Sequence, residues 1–286
     1  MRPGESFGAA LRTSHNTVRL VIAAIALLVI WEIVAHLLQP HLQFPDQVLP
    51  SIERTVSAFP KLSNYWRGGF GVRATEAGGP ETIKGAALAL VDNTLITGLR
   101  LTLGMALALI VGIGTGLLIG FSSFARRLAF GPANLLGMLP VLAMVPLFAF
   151  WFGATGRAEV LIIAFGAGIT ILRSTLNAVH NVPQMFVDTA RTKGASRLMI
   201  YRTVIMPAIM PELRGGVRIA LTFSWSLALG AELIGVQSGL GRMLILAARF
   251  SQVDRMILIA AVFVVLAAVT VIVFDRVADR MIQWAA

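Results

Sequence analysis

Long runs of apolar residues divide this sequence, and they restrict its fold more than any other feature. A helix needs about 20 mainly apolar residues to cross the hydrocarbon core of a bilayer. Three runs reach roughly this length without interruption, at residues 20–38, 101–121 and 257–274. Of the 286 residues, 57% are hydrophobic and only 13% are charged, a composition far from that of soluble domains. We therefore predict an all-α integral membrane protein.

Three further apolar runs are interrupted by proline or by charge. Residues 128–152 contain several prolines, residues 158–172 are short, and residues 215–236 include Arg218 and Glu232. Proline and charged side chains occur in membrane helices where they face protein or water. Counting these runs as spans gives about six transmembrane helices.

The basic residues indicate how the spans are oriented, because lysine and arginine are enriched in cytoplasmic loops. With the N-terminus inside, Arg126, Arg127, the basic stretch 173–214 and the C-terminal arginines all fall in the cytoplasm. The predicted organisation is a cytoplasmic segment 1–19, a first transmembrane helix 20–38, an extracytoplasmic loop 39–98, a core 99–281 with a cytoplasmic loop 174–211, and a cytoplasmic C-terminus 282–286.

The extracytoplasmic loop is rich in proline and glycine. We expect short interfacial helices at residues 52–59 and 86–99, separated by a glycine-rich insert at 69–80. Such an insert has almost no apolar periodicity, which is typical of a loop.

The composition also excludes several functions. The sequence has no cysteine and its four histidines are scattered, so no metal site is expected. The net charge of +10 is distributed between apolar runs, which argues against nucleic-acid binding. An intramembrane enzyme would need a catalytic pair within the spans, and only Glu32, Arg218 and Glu232 are expected there. We therefore predict no catalytic residue and no enzyme activity.

Two of the interrupted runs carry candidate residues for a transport path. Pro140 and Pro146 each remove a backbone donor, so they either make a structural kink or border a wet path. Arg218, Thr222, Trp225 and Glu232 share one helical stripe, in which Arg218 and Glu232 are ~21 Å apart and cannot pair. Either the stripe faces an aqueous path, or Arg218 reaches the cytoplasmic surface and Glu232 pairs near the outer one.

The run 101–121 has a small residue at every fourth position. Gly104, Ala108, Gly112, Gly116 and Gly120 form a face that allows close helix approach. This face predicts a packing seam, with dimerisation as the alternative.

The cytoplasmic stretch between the fourth and fifth spans is predicted to be a helix–turn–helix hairpin. Gly194 divides two helical patterns, and Pro207 and Pro211 close the second. Asn181 and Gln184 are a candidate capping pair for the first helix, and Ser196 is a candidate N-cap for the second. From these residues alone the hairpin could rest on anionic headgroups or fit the groove of a soluble partner.

The hairpin also contains a recognisable motif. The sequence Asp188-Thr189-Ala190-x3-Gly194-x9-Val204-x-Met206-Pro207 has the spacing of the pattern E-A-A-x3-G-x9-I-x-L-P. It resembles the cytoplasmic "EAA" loop of binding-protein-dependent ABC importer permeases. Four positions differ from the usual residues but keep acidic, small, branched and apolar character.

Further motifs extend the resemblance from about residue 44 to 284 and point to the nitrate/sulfonate/taurine-type branch of these permeases. They are Phe44-Pro45-x3-Leu49-Pro50, Pro140-x5-Pro146-Leu147, Trp151-Phe152-Gly153, Trp225, Ala231-Glu232-Leu233 and Gly239-Leu240-Gly241. The insert at 69–80 departs from that branch.

The resemblance implies a type I ABC importer permease in the plasma (inner) membrane. Its partners would be two ABC ATPase subunits, a second permease copy or sister permease, the lipid bilayer and an extracytoplasmic solute-binding protein. Coupling to the ATPase would involve Asp188, Thr189, Ala190, Arg191, Gly194 and Pro207. The solute would be small, and a sulfonate or nitrate type of anion fits the branch.

The resemblance also places ATP and Mg on another subunit. The sequence has no G-x4-G-K-[ST] phosphate loop, which agrees. The main competing interpretation is a secondary transporter or channel that works without ATP. It predicts two related halves, and the sequence shows no such symmetry.

Overall fold

The computed structural model describes residues 3–41, 43–68, 81–233 and 236–282, and these contain helices but no β-strand. Short 3₁₀ turns join several of the helices, and a π-helical segment, Tyr201–Ile205, precedes one of them. The α-helices of the described residues are α1 Pro3–Leu38, α2 Ile52–Ser57, α3 Ile83–Phe121, α4 Ser123–Leu136, α5 Val145–Phe152, α6 Gly156–Asn181, α7 Gln184–Thr192, α8 Arg197–Ile200, α9 Met206–Leu233, α10 Leu240–Arg249 and α11 Val253–Met281.

Within the described residues, four helices are long and apolar enough to cross a membrane. They are Ile22–His41, Ile83–Phe121, Gly156–Asn181 and Val253–Met281. A fifth span is obtained if the bent pair Phe124–Leu136 and Val141–Phe152 is counted once. By length and composition the described residues thus give four or five spans, not the six that the sequence predicted.

The remaining predicted span lies in α9, which has 28 residues. This helix is long enough to cross a membrane, but its charged side chains lower its mean hydropathy, so it is not among the candidate spans. It packs against α6, α10 and α11. Arg214 pairs with Asp275 and Asp279 of α11, so these charges are neutralised by protein.

Close packing of α3 on α6 forms the centre of the bundle and confirms the predicted seam. A Cβ added at Gly104 would lie 2.8 Å from the Ile163 Cβ, and one at Gly116 would lie 2.6 Å from the Thr175 Cβ. Small residues at these positions therefore allow the two backbones to approach. Since α6 already occupies this face, the alternative of dimerisation through it is wrong.

The proline-rich run 128–152 is two helices and not one kinked helix. Pro140 precedes a 3₁₀ turn, Val141–Met144, and accepts a hydrogen bond from the Ala143 N–H at 2.8 Å. Pro146 lies in the first turn of α5, where a missing N–H costs little. The two halves meet at an angle of 77°.

The segment before the bundle differs in part from the prediction. The short helix expected at 52–59 is present as α2, with Ser51 as its N-cap. The separate helix expected at 86–99 is wrong, because these residues are the first turns of α3. This part of α3 has a buried face that continues the apolar run, and its buried residues include Ala86, Ala89, Asn93 and Thr97. The insert at 69–80 lies outside the described residues.

Helix α1 lies at the edge of the bundle. Its Trp31 Nε1 donates to the Pro50 carbonyl at 3.0 Å, and the Ile52 N–H donates to Glu32 at 2.8 Å. Most of its described apolar side chains are exposed, and only 6% of its most apolar membrane-spanning stretch is buried. These apolar surfaces fit contact with lipid or another membrane subunit.

Candidate functional site

Two polar regions lie at opposite ends of α9, and the first is the hairpin of residues 182–205. Helix α6 ends at Asn181, and Val182 and Pro183 turn the chain into α7. Gly194 ends α7 with φ +79°, a conformation that favours glycine. The Ser196 hydroxyl then accepts from the Met199 N–H at 3.3 Å. The predicted turn at Gly194 and cap at Ser196 are therefore confirmed.

The predicted capping pair of Asn181 and Gln184 is wrong. The Asn181 amide donates to the two Glu212 carboxylate oxygens at 3.0 and 3.1 Å, which ties the end of α6 to the start of α9. The Gln184 amide instead donates to Asp188 at 3.2 Å. Both amides satisfy acceptors at the base of the hairpin, so the first N–H groups of α7 are not capped by a side chain.

The hairpin surface combines charge with exposed apolar side chains. Arg191 and Asp188 are 3.5 Å apart, and their side chains are 59% and 57% exposed, so the pair contributes little to stability. Thr189 donates to the Met185 carbonyl. The large exposed apolar side chains of the hairpin are Met185, Phe186, Leu198 and Met199. This surface is available to another molecule.

Tyr201 fixes the hairpin to the bundle. Its hydroxyl donates to the Leu117 carbonyl of α3 at 2.5 Å, and its ring packs edge-on against Phe121 at 5.2 Å. Burial raises the pKa of Tyr201, because water no longer solvates the phenolate. The π-helical segment that begins at Tyr201 continues directly into α9. Pro207 falls in the first turn of α9, and α9 begins the return to the bundle.

The second polar region is a buried charge cluster at the far end of α9, which we call the Arg100 cluster: Arg100, Glu159 and Glu232. The Arg100 guanidinium lies 2.8 Å from Glu159 and 3.4 Å from Glu232. The two glutamate side chains are 0% exposed and Arg100 is 14% exposed. One cation therefore joins α3, α6 and α9.

The loop before α10 completes the surroundings of the Arg100 cluster. Arg100 donates to the Ser238 carbonyl at 2.9 Å and to its hydroxyl at 2.8 Å. The Gly241 N–H donates to Glu232 at 2.5 Å. Gly239 has φ +114°, and a Cβ there would collide with the Glu232 carboxylate. The Ala231-Glu232-Leu233 and Gly239-Leu240-Gly241 motifs thus form one interlocked structure.

Sequence reasoning missed two members of this cluster. Neither stands out in the sequence, since Arg100 comes immediately before an apolar run and Glu159 near the start of another. The expectation that only Glu32, Arg218 and Glu232 lie inside spans is wrong. Glu159 lies within the predicted run 158–172 itself, and Arg100 lies inside α3, which extends beyond the run 101–121. Recognising that 83–121 is one helix would have placed Arg100 near its middle.

The predicted path residues do not come together in this structure. Trp225 is buried and donates to Thr270 of α11 at 2.9 Å, and Glu232 belongs to the Arg100 cluster. Arg218 is exposed and lies 3.5 Å from Asp275. Thr222, Pro140 and Pro146 are exposed. The stripe therefore has a buried end and an exposed end, and a transport role for these residues stays a prediction.

Comparison with known proteins identifies a family that matches most of the helical bundle. Residues 93–283 match the family described as "Binding-protein-dependent transport system inner membrane component". This range contains the hairpin and the whole Arg100 cluster.

The chain is also similar to named permeases. It is 31% identical over 185 residues to the taurine transport system permease protein TauC of Escherichia coli K12, covering 65% of this chain and 67% of that protein. It is 34% identical to a putative ABC transporter permease of Methanocaldococcus jannaschii, covering 59% of this chain and 63% of that protein. For the putative aliphatic sulfonates permease SsuC of Bacillus subtilis the identity is 31%, covering 63% of this chain and 66% of that protein. The chain thus spans about two thirds of these relatives' length.

Two solved structures have the same fold. Both show inward facing conformations of the MetNI methionine ABC transporter, with TM-scores of 0.54 and 0.56. The identities are 18% and 19%, and the matches cover 67% and 69% of this chain and 94% and 96% of the solved chains. The fold predicted for a type I importer permease is confirmed.

Proposed function

Since the chain belongs to the family of binding-protein-dependent transport system inner membrane components, we propose that it forms the membrane path of an ATP-driven importer. A permease of this kind moves the solute, while separate ATPase subunits bind ATP and Mg. A solute-binding protein delivers the solute from outside. A second copy or a sister permease completes the path.

The hairpin is the observation that carries this proposal. Its exposed methionine, leucine and phenylalanine side chains lie beside the exposed Asp188 and Arg191. Apolar anchors with a charged rim are typical of a surface that enters a protein groove. A soluble ATPase subunit that grips α7 and α8 would bury these side chains. Asp188, Thr189, Ala190, Arg191, Gly194 and Pro207 are the residues of the coupling segment.

The connection of the hairpin to α9 supports a mechanical role. Tyr201 holds the joint against α3, and the chain enters α9 without an intervening loop. A helix of 28 residues is about 42 Å long at 1.5 Å per residue. Movement of the hairpin would therefore be transmitted to the far end of α9, where the Arg100 cluster lies. ATP binding would shift the population between two helix packings.

This mechanism implies an orientation in the membrane. If the hairpin contacts a cytoplasmic ATPase, the Arg100 cluster lies near the outer surface. With the bent pair α4–α5 counted as one span and α9 as another, six spans then leave both termini in the cytoplasm. Apolar side chains exposed on α1 and α11 would then face lipid or the second permease. The location is the plasma (inner) membrane.

We further propose a small anionic solute of the sulfonate or nitrate type. Its support is the similarity to permeases named for taurine and aliphatic sulfonates. The binding protein, rather than a fixed charge in this chain, would supply most of the selectivity. Arg218 already has Asp275 as a counter-charge, which is consistent with a weak solute contact.

Reconstitution tests the proposal. The purified permease is incorporated into vesicles with and without the ATPase that co-purifies with it from native membranes. We expect uptake only when both subunits are present, with ATP on the side of the ATPase and the binding protein on the opposite side of the vesicle membrane. We also expect the binding protein to stimulate ATP hydrolysis. Uptake by the permease alone, driven by a solute or ion gradient, would establish a secondary transporter instead.

A further inference from the structure

The Arg100 cluster has an unbalanced charge. It contains two carboxyl groups, of Glu159 and Glu232, and one guanidinium. Both glutamate side chains are fully buried. If both were ionised, one negative charge would remain without a counter-ion in a region shielded from water. An uncompensated buried charge costs several kcal/mol.

The closeness of the two carboxyl groups also indicates that they are not both ionised. The carboxyl groups of Glu159 and Glu232 both contact the same nitrogen of Arg100, at 2.8 and 3.4 Å, so the two groups lie close together. Two ionised carboxylates are acceptors only, so they cannot form a hydrogen bond and they repel at this distance. A proton on one of them removes the repulsion and supplies the donor.

We propose that the Arg100 cluster is a binding site for one exchangeable proton, which Glu159 carries and shares with Glu232. The site then contains one carboxylate, one carboxylic acid and one guanidinium, and its net charge is zero. It holds the middle of α3, the start of α6 and the end of α9 together.

The hydrogen-bond donors decide which glutamate carries the proton. Glu232 accepts from the Thr97 hydroxyl at 2.7 Å, from the Gly241 N–H at 2.5 Å and from Arg100. Three donors stabilise the ionised form. Glu159 accepts from Arg100 through Oε2 alone, and its Oε1 is buried without a hydrogen-bond partner. The neutral acid is therefore favoured at Glu159.

The cavity beside Glu159 leaves little room for a buried water. The cavity that borders Glu159 has a volume of about 10 Å³ and is lined mainly by apolar side chains such as Val145, Phe148 and Ile162. A water needs at least about 10–15 Å³ and two or more polar partners. Thr155 and Glu159 are the polar side chains of its lining. Protonation satisfies Glu159 without a water.

The charged groups around the pair are few. Arg100 from α3 acts on both carboxyl groups, and they act on each other across α6 and α9. From the loop before α10, Ser238 contributes neutral groups that bind Arg100. The described surroundings thus contain one cation for two acids. Raising the pH removes the proton, restores the repulsion between Glu159 and Glu232, and separates the start of α6 from the end of α9.

Infrared spectroscopy of the purified full-length protein tests the site. At neutral pH we expect a C=O stretching band of a protonated carboxyl group that shifts in D₂O. The band should be absent from Glu159→Gln, because the remaining carboxylate then balances Arg100. Glu212→Gln, which changes an exposed glutamate of α9, should retain it. Absence of the band from the unmodified protein, or its persistence in Glu159→Gln, would overturn the proposal.

Thermal stability separates the two glutamates. Glutamine resembles a neutral glutamic acid, so Glu159→Gln should unfold at nearly the unmodified temperature and lose the decline in stability at alkaline pH. Glu232→Gln should unfold at a clearly lower temperature, because the Thr97 and Gly241 donors lose an ionised acceptor. Equal destabilisation by the two variants would contradict the assignment to Glu159. If neither variant folds, the test is made on the unmodified protein. Its infrared C=O band and its unfolding temperature must then decline together as the pH rises.

Discussion

The Thr97 hydroxyl donates to the Glu232 carboxylate at 2.7 Å and joins α3 to α9 across 135 residues of sequence. The same hydroxyl oxygen accepts from the Leu240 N–H at 3.0 Å, at the start of α10. One side chain thus connects three helices at the far end of the bundle.

Replacement of Thr97 should destabilise the protein. Thr97→Val keeps the shape but leaves the Leu240 N–H and a Glu232 oxygen without this partner. A buried polar group that loses its partner costs about 1–3 kcal/mol. Thermal unfolding in detergent measures the loss. Thr102→Val is the matched control, since Thr102 is exposed and bonds only within its own helix, and it should unfold like the unmodified protein.

The glycine seam between α3 and α6 should tolerate no β-branched residue at Gly116. A Cβ there meets Thr175 at 2.6 Å, so Gly116→Val must separate the helices. Overpacking of this kind costs about 1–3 kcal/mol. Gly114 lies two residues earlier on the same helix with no atom within 4 Å of an added Cβ. An equal loss of stability in Gly114→Val would show that the seam is not the cause.

Gly194 should be required for coupling. Its φ of +79° makes Gly194→Val strained by about 1–2 kcal/mol, which corresponds to a roughly five- to thirtyfold loss of the correctly formed turn. We expect ATP hydrolysis to continue while uptake in vesicles falls. Asparagine adopts positive φ more readily, so Gly194→Asn should retain most uptake. Normal uptake by Gly194→Val would argue against a lever at this turn.

Tyr201 should make the joint between hairpin and bundle sensitive to alkaline pH. Burial raises the pKa of its hydroxyl, so the folded protein binds this proton more tightly than the unfolded chain does. The stabilisation is therefore present at neutral pH and is lost as the pH rises through the folded-state pKa. Tyr201→Phe loses the Leu117 hydrogen bond, worth about 1 kcal/mol, and should lose part of this decline. An unchanged alkaline profile of unfolding temperature in that variant would contradict this role.

Local rules predicted the parts of the structure that depend on local geometry. The turn at Gly194, the cap at Ser196 and the small-residue face of α3 each follow from a few neighbouring residues, and each is present. The motif of the hairpin likewise identified the family.

The Arg100 cluster could not be predicted in the same way. Its three members come from three helices, and a charge at the end of an apolar run looks the same whether it reaches water or enters the bundle. Residues 86–99 have a helical pattern of their own in the sequence, and only the structure shows that they continue without a break into 101–121. Asn181 has the sequence position of a helix cap, whereas its partner Glu212 is 31 residues away.

Site-specific cross-linking tests the central claim, that a separate ATPase grips the hairpin. The chain has no cysteine, so a single introduced thiol reacts alone. Met185 on α7 and Val56 on α2 are both exposed. In the assembled complex we predict that Met185→Cys forms a cross-link to the ATPase subunit and that Val56→Cys does not. A Met185→Cys thiol that reacts with no soluble subunit, and is labelled by a membrane-impermeant reagent added from outside the cell, would contradict the account.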